Sequence, residues 1–250
     1  MENIGILDPN RFESWMDEEG WNEECERCEI AARRRGPPVW GAGDLNADIM
    51  IIGEAPGRHD EKTGMPFTGQ SGELLDDVLS IIDIDRSSIR ITNAVMCRPC
   101  DHDNWKKSIA PTDAEVKACR PRLYEEIYHV DPLLIIAMGT HAAKALLGNV
   151  SIGSVRGEVA AFTIPSRVKG NLTYEAMITW HPSYVNRKLD SRTDDYPSIT
   201  NGHKLAQGTH PYYQFVWSLV RAQAVVDYIQ AQYTGSQISS YIKDVAKYVV

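Results

Sequence analysis

The chain is poor in phenylalanine (4 of 250 residues) and in cysteine (5), and positive charge is in deficit, with 26 Lys and Arg against 34 Asp and Glu. It has no run of about 18 apolar residues, which excludes a membrane-spanning helix. Its start, MENIGILDPN, has neither the basic region nor the apolar stretch of a secretion signal, so a cytoplasmic protein is expected. A net charge of -8 argues against a protein that coats nucleic acid by bulk charge, but leaves room for a local basic groove. Candidate patches are residues 33–35, Lys106 with Lys107, Arg120 with Arg122, and Arg187 with Lys188. Neither GxGxxG nor GK[ST] occurs, which argues against nucleotide binding through those loops. There is no internal repeat and no low-complexity tract. With 43% apolar residues, the chain reads as one α/β domain over residues 1–250. Residues 1–22 form an acidic, Trp-bearing extension, expected as a surface helix, and residues 232–250 a tail.

Short apolar runs bounded by turn residues read as buried strands: DIMIIGE (48–54), IRITNAV (89–95) and LLIIAMG (133–139), with EVAAFTI and EAMITW further on. Apolar residues at 74, 75, 78, 79 and 82 mark a helix over 71–82. Thr112 and Glu115 form a capping box that starts a helix over 112–130. Thr140 is the expected cap and Gly148 the stop of a helix over 140–148. A last helix covers 211–231. Strands alternating with helices imply three layers: a mostly parallel central sheet flanked by helices. Ligands bind beyond the carboxyl ends of such strands, so the loops after Gly53, Val95 and Trp180 should share one rim.

Three groups of residues carry candidate chemistry. The loop GEAPGRHDEKTGMPF (53–67) places Glu54 and Asp60 near an aromatic, Phe67, at the expected rim. In WHPS (180–183) the proline after His181 makes a rigid turn that aims the imidazole, useful for donating a hydrogen bond to a developing anion. Cys25 and Cys28 form CxxC, Cys97 and Cys100 a second, and Cys119 lies apart. Disulfides are rare in a reducing compartment, so clustered cysteines point to zinc or an iron–sulfur cluster, between which spacing does not choose.

The order of these motifs resembles the family-4, iron–sulfur uracil-DNA glycosylases. The resemblance rests on CxxC at 25–28, GEAPG…GMPFTGQSGELL at 53–75, TNAVMCRP at 92–99, CRPRL at 119–123, RGE at 156–158 and HPSYVNR at 181–187. It implies a uracil-DNA glycosylase-like fold and a monomeric base-excision enzyme that takes uracil from DNA and leaves an abasic site. Phe67 would stack on the flipped base, Asn93 read its edge, and His181 sit against its O2. Glu54 and Asp60 would lie beside sugar, water and base. Ala55, Ser183 and Arg187 would help bind the substrate, with Tyr184 and Val185 as the wedge that fills the emptied stack. A 4Fe-4S cluster would sit on Cys25, Cys28, Cys97 and Cys119, with Cys100 a spare thiol.

Two departures stand out. The family's CRPPxNRxP reads CRPCDHDNWKKSIAP here, so the family's catalytic Asn has three stand-ins: Asn104, the first choice, then His102 and Ser108. Lys106 and Lys107 would hold a phosphate beside it. Asp60 stands where the family has Glu. Two other readings stay open. One is a divergent member that binds or covalently traps uracil-DNA, or acts on another modified base. The other is a non-catalytic Zn-ribbon DNA-binding module using Cys97 with Cys100.

Overall fold

The computed structural model describes residues 21, 25–101, 103–166, 170–189 and 210–232. The expected extension and tail lie outside them, apart from Trp21 and Gln232. Trp21 is no surface aromatic: it is 2% exposed and packs into the core.

Six strands form one sheet: β1 (Ala42–Gly43), β2 (Ile49–Gly53), β3 (Arg90–Asn93), β4 (Leu134–Met138), β5 (Val159–Ser166) and β6 (Gly170–Thr179). Their order is β1-β3-β2-β4-β6-β5. The inner pairs β3–β2, β2–β4 and β4–β6 are parallel, and β1 and β5 are antiparallel edges. The mostly parallel sheet therefore holds in the centre. The last two strands depart from alternation, because β5 and β6 pair directly as a hairpin with no helix between them.

β2 shows why the fold has three layers. All five of its residues are buried, as expected of a strand covered on both faces. Met50 and Ile52 point into one apolar cluster, with Val116, Leu123 and Ile127 of α4 (Asp113–Val130) and Ala142 and Leu146 of α5 (Thr140–Leu147). Ile49 and Ile51 point into the other, with Leu74, Leu75 and Val78 of α3 (Gln70–Ile81) and Phe215, Leu219 and Val226 of α8 (Pro211–Gln232). The period-two alternation of a strand distributes them. The short helices α1 (Ile30–Arg33), α2 (Arg58–Thr63), α6 (Ile152–Val155) and α7 (Pro182–Lys188) complete the set among the described residues.

The capping box forms as expected: the Thr112 hydroxyl accepts from Glu115 N, and the Glu115 carboxylate accepts from Thr112 N. The expected cap at Thr140 is not found. Gly139, with φ of 90°, is the cap residue, and Thr140 is already helical. A sharp turn out of β4 fixes this: a Cβ on Gly139 would stand 3.0 Å from His181 Cβ, and its φ favours glycine.

Candidate active site

A cleft of about 380 Å³ opens beyond the carboxyl ends of β2, β3 and β6. Gly53 and Asn93 end their strands side by side in register, and His181 follows β6. Glu54, Ala55, Asp60, Phe67, Asn93, His181 and Ser183 all line the cleft, as do Ser108 and Ile109 from the loop after β3. The three loops share one rim.

The floor of the cleft depends on Gly53. A Cβ there would lie 2.4 Å from Asn93 Oδ1 and 2.6 Å from the Phe67 ring, so any side chain would push the two apart. Phe67 has φ of 54°, a left-handed conformation that costs a non-glycine residue about 1–3 kcal/mol. Arg86 holds it there, donating from Nη2 to the carbonyls of Pro66 (2.9 Å) and Phe67 (3.1 Å) while pairing with Asp76. The Phe67 ring faces His181, with centroids 5.7 Å apart.

Asn93 is 2% exposed, and its Nδ2 has no hydrogen-bond partner among the described residues. A buried donor left unpaired at a cleft wall is available to a ligand. Its backbone is fixed from behind. Arg122 Nη2 donates to Asn93 O at 2.6 Å, and Arg122 pairs with Glu126, which also holds Arg90 Nε (2.8 Å) and the Thr92 hydroxyl (2.9 Å).

His181 caps α7. Its Nδ1 accepts from Ser183 N at 3.1 Å, with the Ser183 hydroxyl 2.8 Å away. An Nδ1 that accepts a backbone N–H carries no proton, so the neutral ring has its proton on Nε2. Burial pushes its pKa below the ordinary histidine value. Arg187 and His141 act in the same direction, against Glu54 and Asp60. His181 is therefore a neutral donor at neutral pH.

The loop carboxylates divide. Burial acts to raise the pKa of Glu54, but the hydrogen bond and charge of His141, with His181 and Arg187, outweigh it and hold the carboxyl below its usual value. His141 Nδ1 donates to Glu54 Oε2 at 2.7 Å, and Oε1 takes no hydrogen bond among the described residues. Sequence reasoning missed His141, read only as the second residue of a helix. Asp60, expected to be catalytic, lines the cleft and is engaged on both oxygens. Oδ2 accepts from Gly57 N (2.8 Å), and Oδ1 from Thr68 N (2.7 Å) and the Thr68 hydroxyl (2.9 Å). It ties the two ends of the loop that presents Phe67.

Of the three stand-ins for the family Asn, Ser108 reaches the cleft wall. Asn104 does not: it is exposed and its Oδ1 accepts from Lys106 N at 3.3 Å, closing a local turn. His102 lies outside the described residues. Val185, half of the expected wedge, is fully buried in the α3/α8 cluster, because α7 turns it toward the core. Tyr184 remains at the surface of α7, stacked on Trp180 with centroids 4.3 Å apart, and the Arg187 guanidinium stands 6.0 Å from its ring.

The cysteines fall into two kinds. Cys25, Cys28, Cys97 and Cys119 line one apolar cavity with Trp21 and Ile30. Burial pushes the Cys97 thiol up to about 12, and the charges of Cys119, Cys25 and Cys28 add to it, with Arg34 opposing. Arg34 Nη1 lies 3.9 Å from Cys97 Sγ, and Arg122 Nη2 4.0 Å from Cys119 Sγ. A donor set of four thiols with two guanidiniums beside it suits a thiolate-bound, anionic metal group. Among the described residues no three Cys, His, Asp or Glu side chains converge at the spacing of a single-ion site. Cys100 turns away: it is 1% exposed and its Sγ donates to Arg33 O at 2.6 Å. A ribbon built on Cys97 with Cys100 therefore finds no support in this arrangement.

A family model described as the uracil DNA glycosylase superfamily matches residues 40–201. The Type-4 uracil-DNA glycosylase of Pyrobaculum aerophilum is 35% identical over 167 residues, covering 66% of this chain and 81% of that protein. That of Saccharolobus solfataricus is 33% identical over 168 residues, covering 64% and 71%. That of Thermotoga maritima is 33% identical over 167 residues, covering 66% and 79%.

Proposed function

The chain belongs to the uracil-DNA glycosylase superfamily, with type-4 relatives, and on that premise we propose that it hydrolyses the N-glycosidic bond of uracil flipped out of DNA, leaving an abasic site. The observation that carries this reading is the convergence of Phe67, Asn93, His181 and Glu54 on one cleft of nucleoside size. Phe67 stacks on the base. The orphan Asn93 Nδ2–H donates to uracil O4 while Oδ1 accepts from N3–H; cytosine presents the opposite pattern and is rejected. As the bond from C1′ to N1 breaks, its electron pair passes to the uracil ring, and His181 Nε2–H donates to the anionic O2. The sugar left behind is cation-like. Glu54, ionised and held by His141, offsets that charge and orients the water that attacks C1′. The test is release of free uracil and alkali-labile cleavage of a uracil-containing oligonucleotide.

His141 acts through Glu54, as a positioning residue. Without its hydrogen bond, burial dominates and the Glu54 carboxyl rises. His141→Ala should therefore shift the acid limb of the pH–rate profile to higher pH, by about one unit for each 1.4 kcal/mol lost. An unmoved acid limb with a uniformly lower rate would show that His141 only packs.

The four thiols of Cys25, Cys28, Cys97 and Cys119 would hold a 4Fe-4S cluster, whose role is to brace the chain behind the cleft. Cys97 follows Asn93 by four residues, and Arg122 lies between Cys119 Sγ and the Asn93 carbonyl. Protein purified without air should be brown, with iron and acid-labile sulfide in equal amounts. A colourless protein with stoichiometric zinc would overturn the cluster assignment. We read the enzyme as a monomer acting on DNA. No helix among the described residues is long and apolar enough to cross a membrane.

A further inference from the structure

We propose that Trp105 is a stacking platform for the nucleobase adjoining the flipped uracil on the same strand; the inference rests on the uracil-DNA reading above. Trp105 is 44% exposed, one of three large apolar side chains left in water among the described residues. Its loop is nonetheless built with care. Arg98, fully buried, donates from Nη2 to Trp105 O (2.8 Å), from Nη1 to Ser108 Oγ (3.2 Å) and from Nε to Glu61 on α2 (2.8 Å). Cys100 and Ser108 close the base of the loop as a β-bridge. The fold thus fixes the backbone of Trp105 through a buried cation while leaving the indole unpacked. A lone exposed aromatic is ordinary on a protein surface, but one tethered rigidly beside a ligand cleft is placed to stack on that ligand.

The setting identifies that ligand. Arg58 Cζ stands 5.5 Å from the ring centroid and Lys106 Nζ 5.8 Å. Arg58 also lines the cleft, as do Ser108 and Ile109 from the same loop as Trp105. Arg58 therefore touches both the indole and the cleft. Both cations stand over the ring, and a base that stacks on the indole takes their place while they turn to its flanking phosphates, the combination that holds single-stranded nucleic acid without sequence preference. The net charge of -8 makes such local cations the available attraction for the strand.

The test uses the whole protein and two single-stranded substrates. One carries normal bases around its uracil, and the other carries abasic spacers on both sides of it. Single-turnover cleavage is measured against enzyme concentration. The parent should need about tenfold more enzyme to half-saturate the spacer substrate. Trp105→Ala should show about the same loss on the normal substrate and little further loss on the spacer substrate, while Trp105→Phe should stay within about threefold of the parent. The saturated rate should change little in each case. Equal half-saturation of the parent on both substrates, or a Trp105→Ala defect of the same size on both, overturns the platform and leaves the glycosylase reading standing. A parent that releases no uracil from either substrate overturns both.

Discussion

His181→Ala should lower the single-turnover rate of uracil release by about 100- to 1,000-fold, the loss that follows removal of one anion-stabilising donor. Uracil-DNA binding should change far less, because the bond to O2 strengthens as charge develops and contributes little to the neutral base. Three features make His181 suited to this. Proline at 182 and the cap to Ser183 N fix the ring. The cap leaves Nε2 as the protonated nitrogen. Burial keeps the ring neutral by holding its pKa below the usual value. The pH dependence follows with a definite sign. Both His181 and Glu54 have lowered pKa values, so both stand in their working forms through neutrality. The rate should be flat across neutral and mildly basic pH and fall only on the acid side, below the ordinary histidine range. A His181→Ala variant with full single-turnover activity would mean that the chemistry lies elsewhere.

Glu54→Gln should lower the same rate by about 100-fold or more. The amide keeps the shape of the side chain and a contact with His141, but loses the charge that offsets the cation-like sugar and the basic oxygen that holds water. Asp60→Asn should behave differently. All three hydrogen bonds at Asp60 run from backbone or hydroxyl donors into its two oxygens. Its loss should loosen the Phe67 loop and weaken substrate binding, with a smaller effect on the saturated rate. Single-turnover rates at saturating and subsaturating enzyme separate the two carboxylates. Equal behaviour of Glu54→Gln and Asp60→Asn would remove the distinction.

Much of this site is legible in the amino-acid sequence, because its residues sit in contiguous motifs at strand ends. Glu54 and Phe67 follow β2, Asn93 ends β3 and His181 follows β6, and the parallel sheet brings those ends together whatever the lengths between them. What the sequence hides arises from contacts between distant segments. Glu54 and His141 are 87 residues apart and meet because β4, which leads into α5, lies beside β2 in the sheet. Nothing in THAAKALL sets that histidine apart from a solvated helix start. Asp60 looks catalytic by position, but the short helix that follows Gly57 turns it back onto its own loop. Val185 looks like a wedge in the motif, yet the helical period of α7 places it on the core side. Trp105 is visible as a letter in the inserted loop. Its exposure and its tether to Arg98 appear only once that loop folds over α2.

The most direct measurement is single-turnover incubation with a labelled oligonucleotide carrying one uracil, followed by alkali and by denaturing electrophoresis without alkali. The proposed mechanism predicts free uracil and a strand that breaks at the uracil position only after alkali. An intact strand despite tight binding, or a protein–DNA adduct that survives SDS, would contradict hydrolysis by Glu54 and His181.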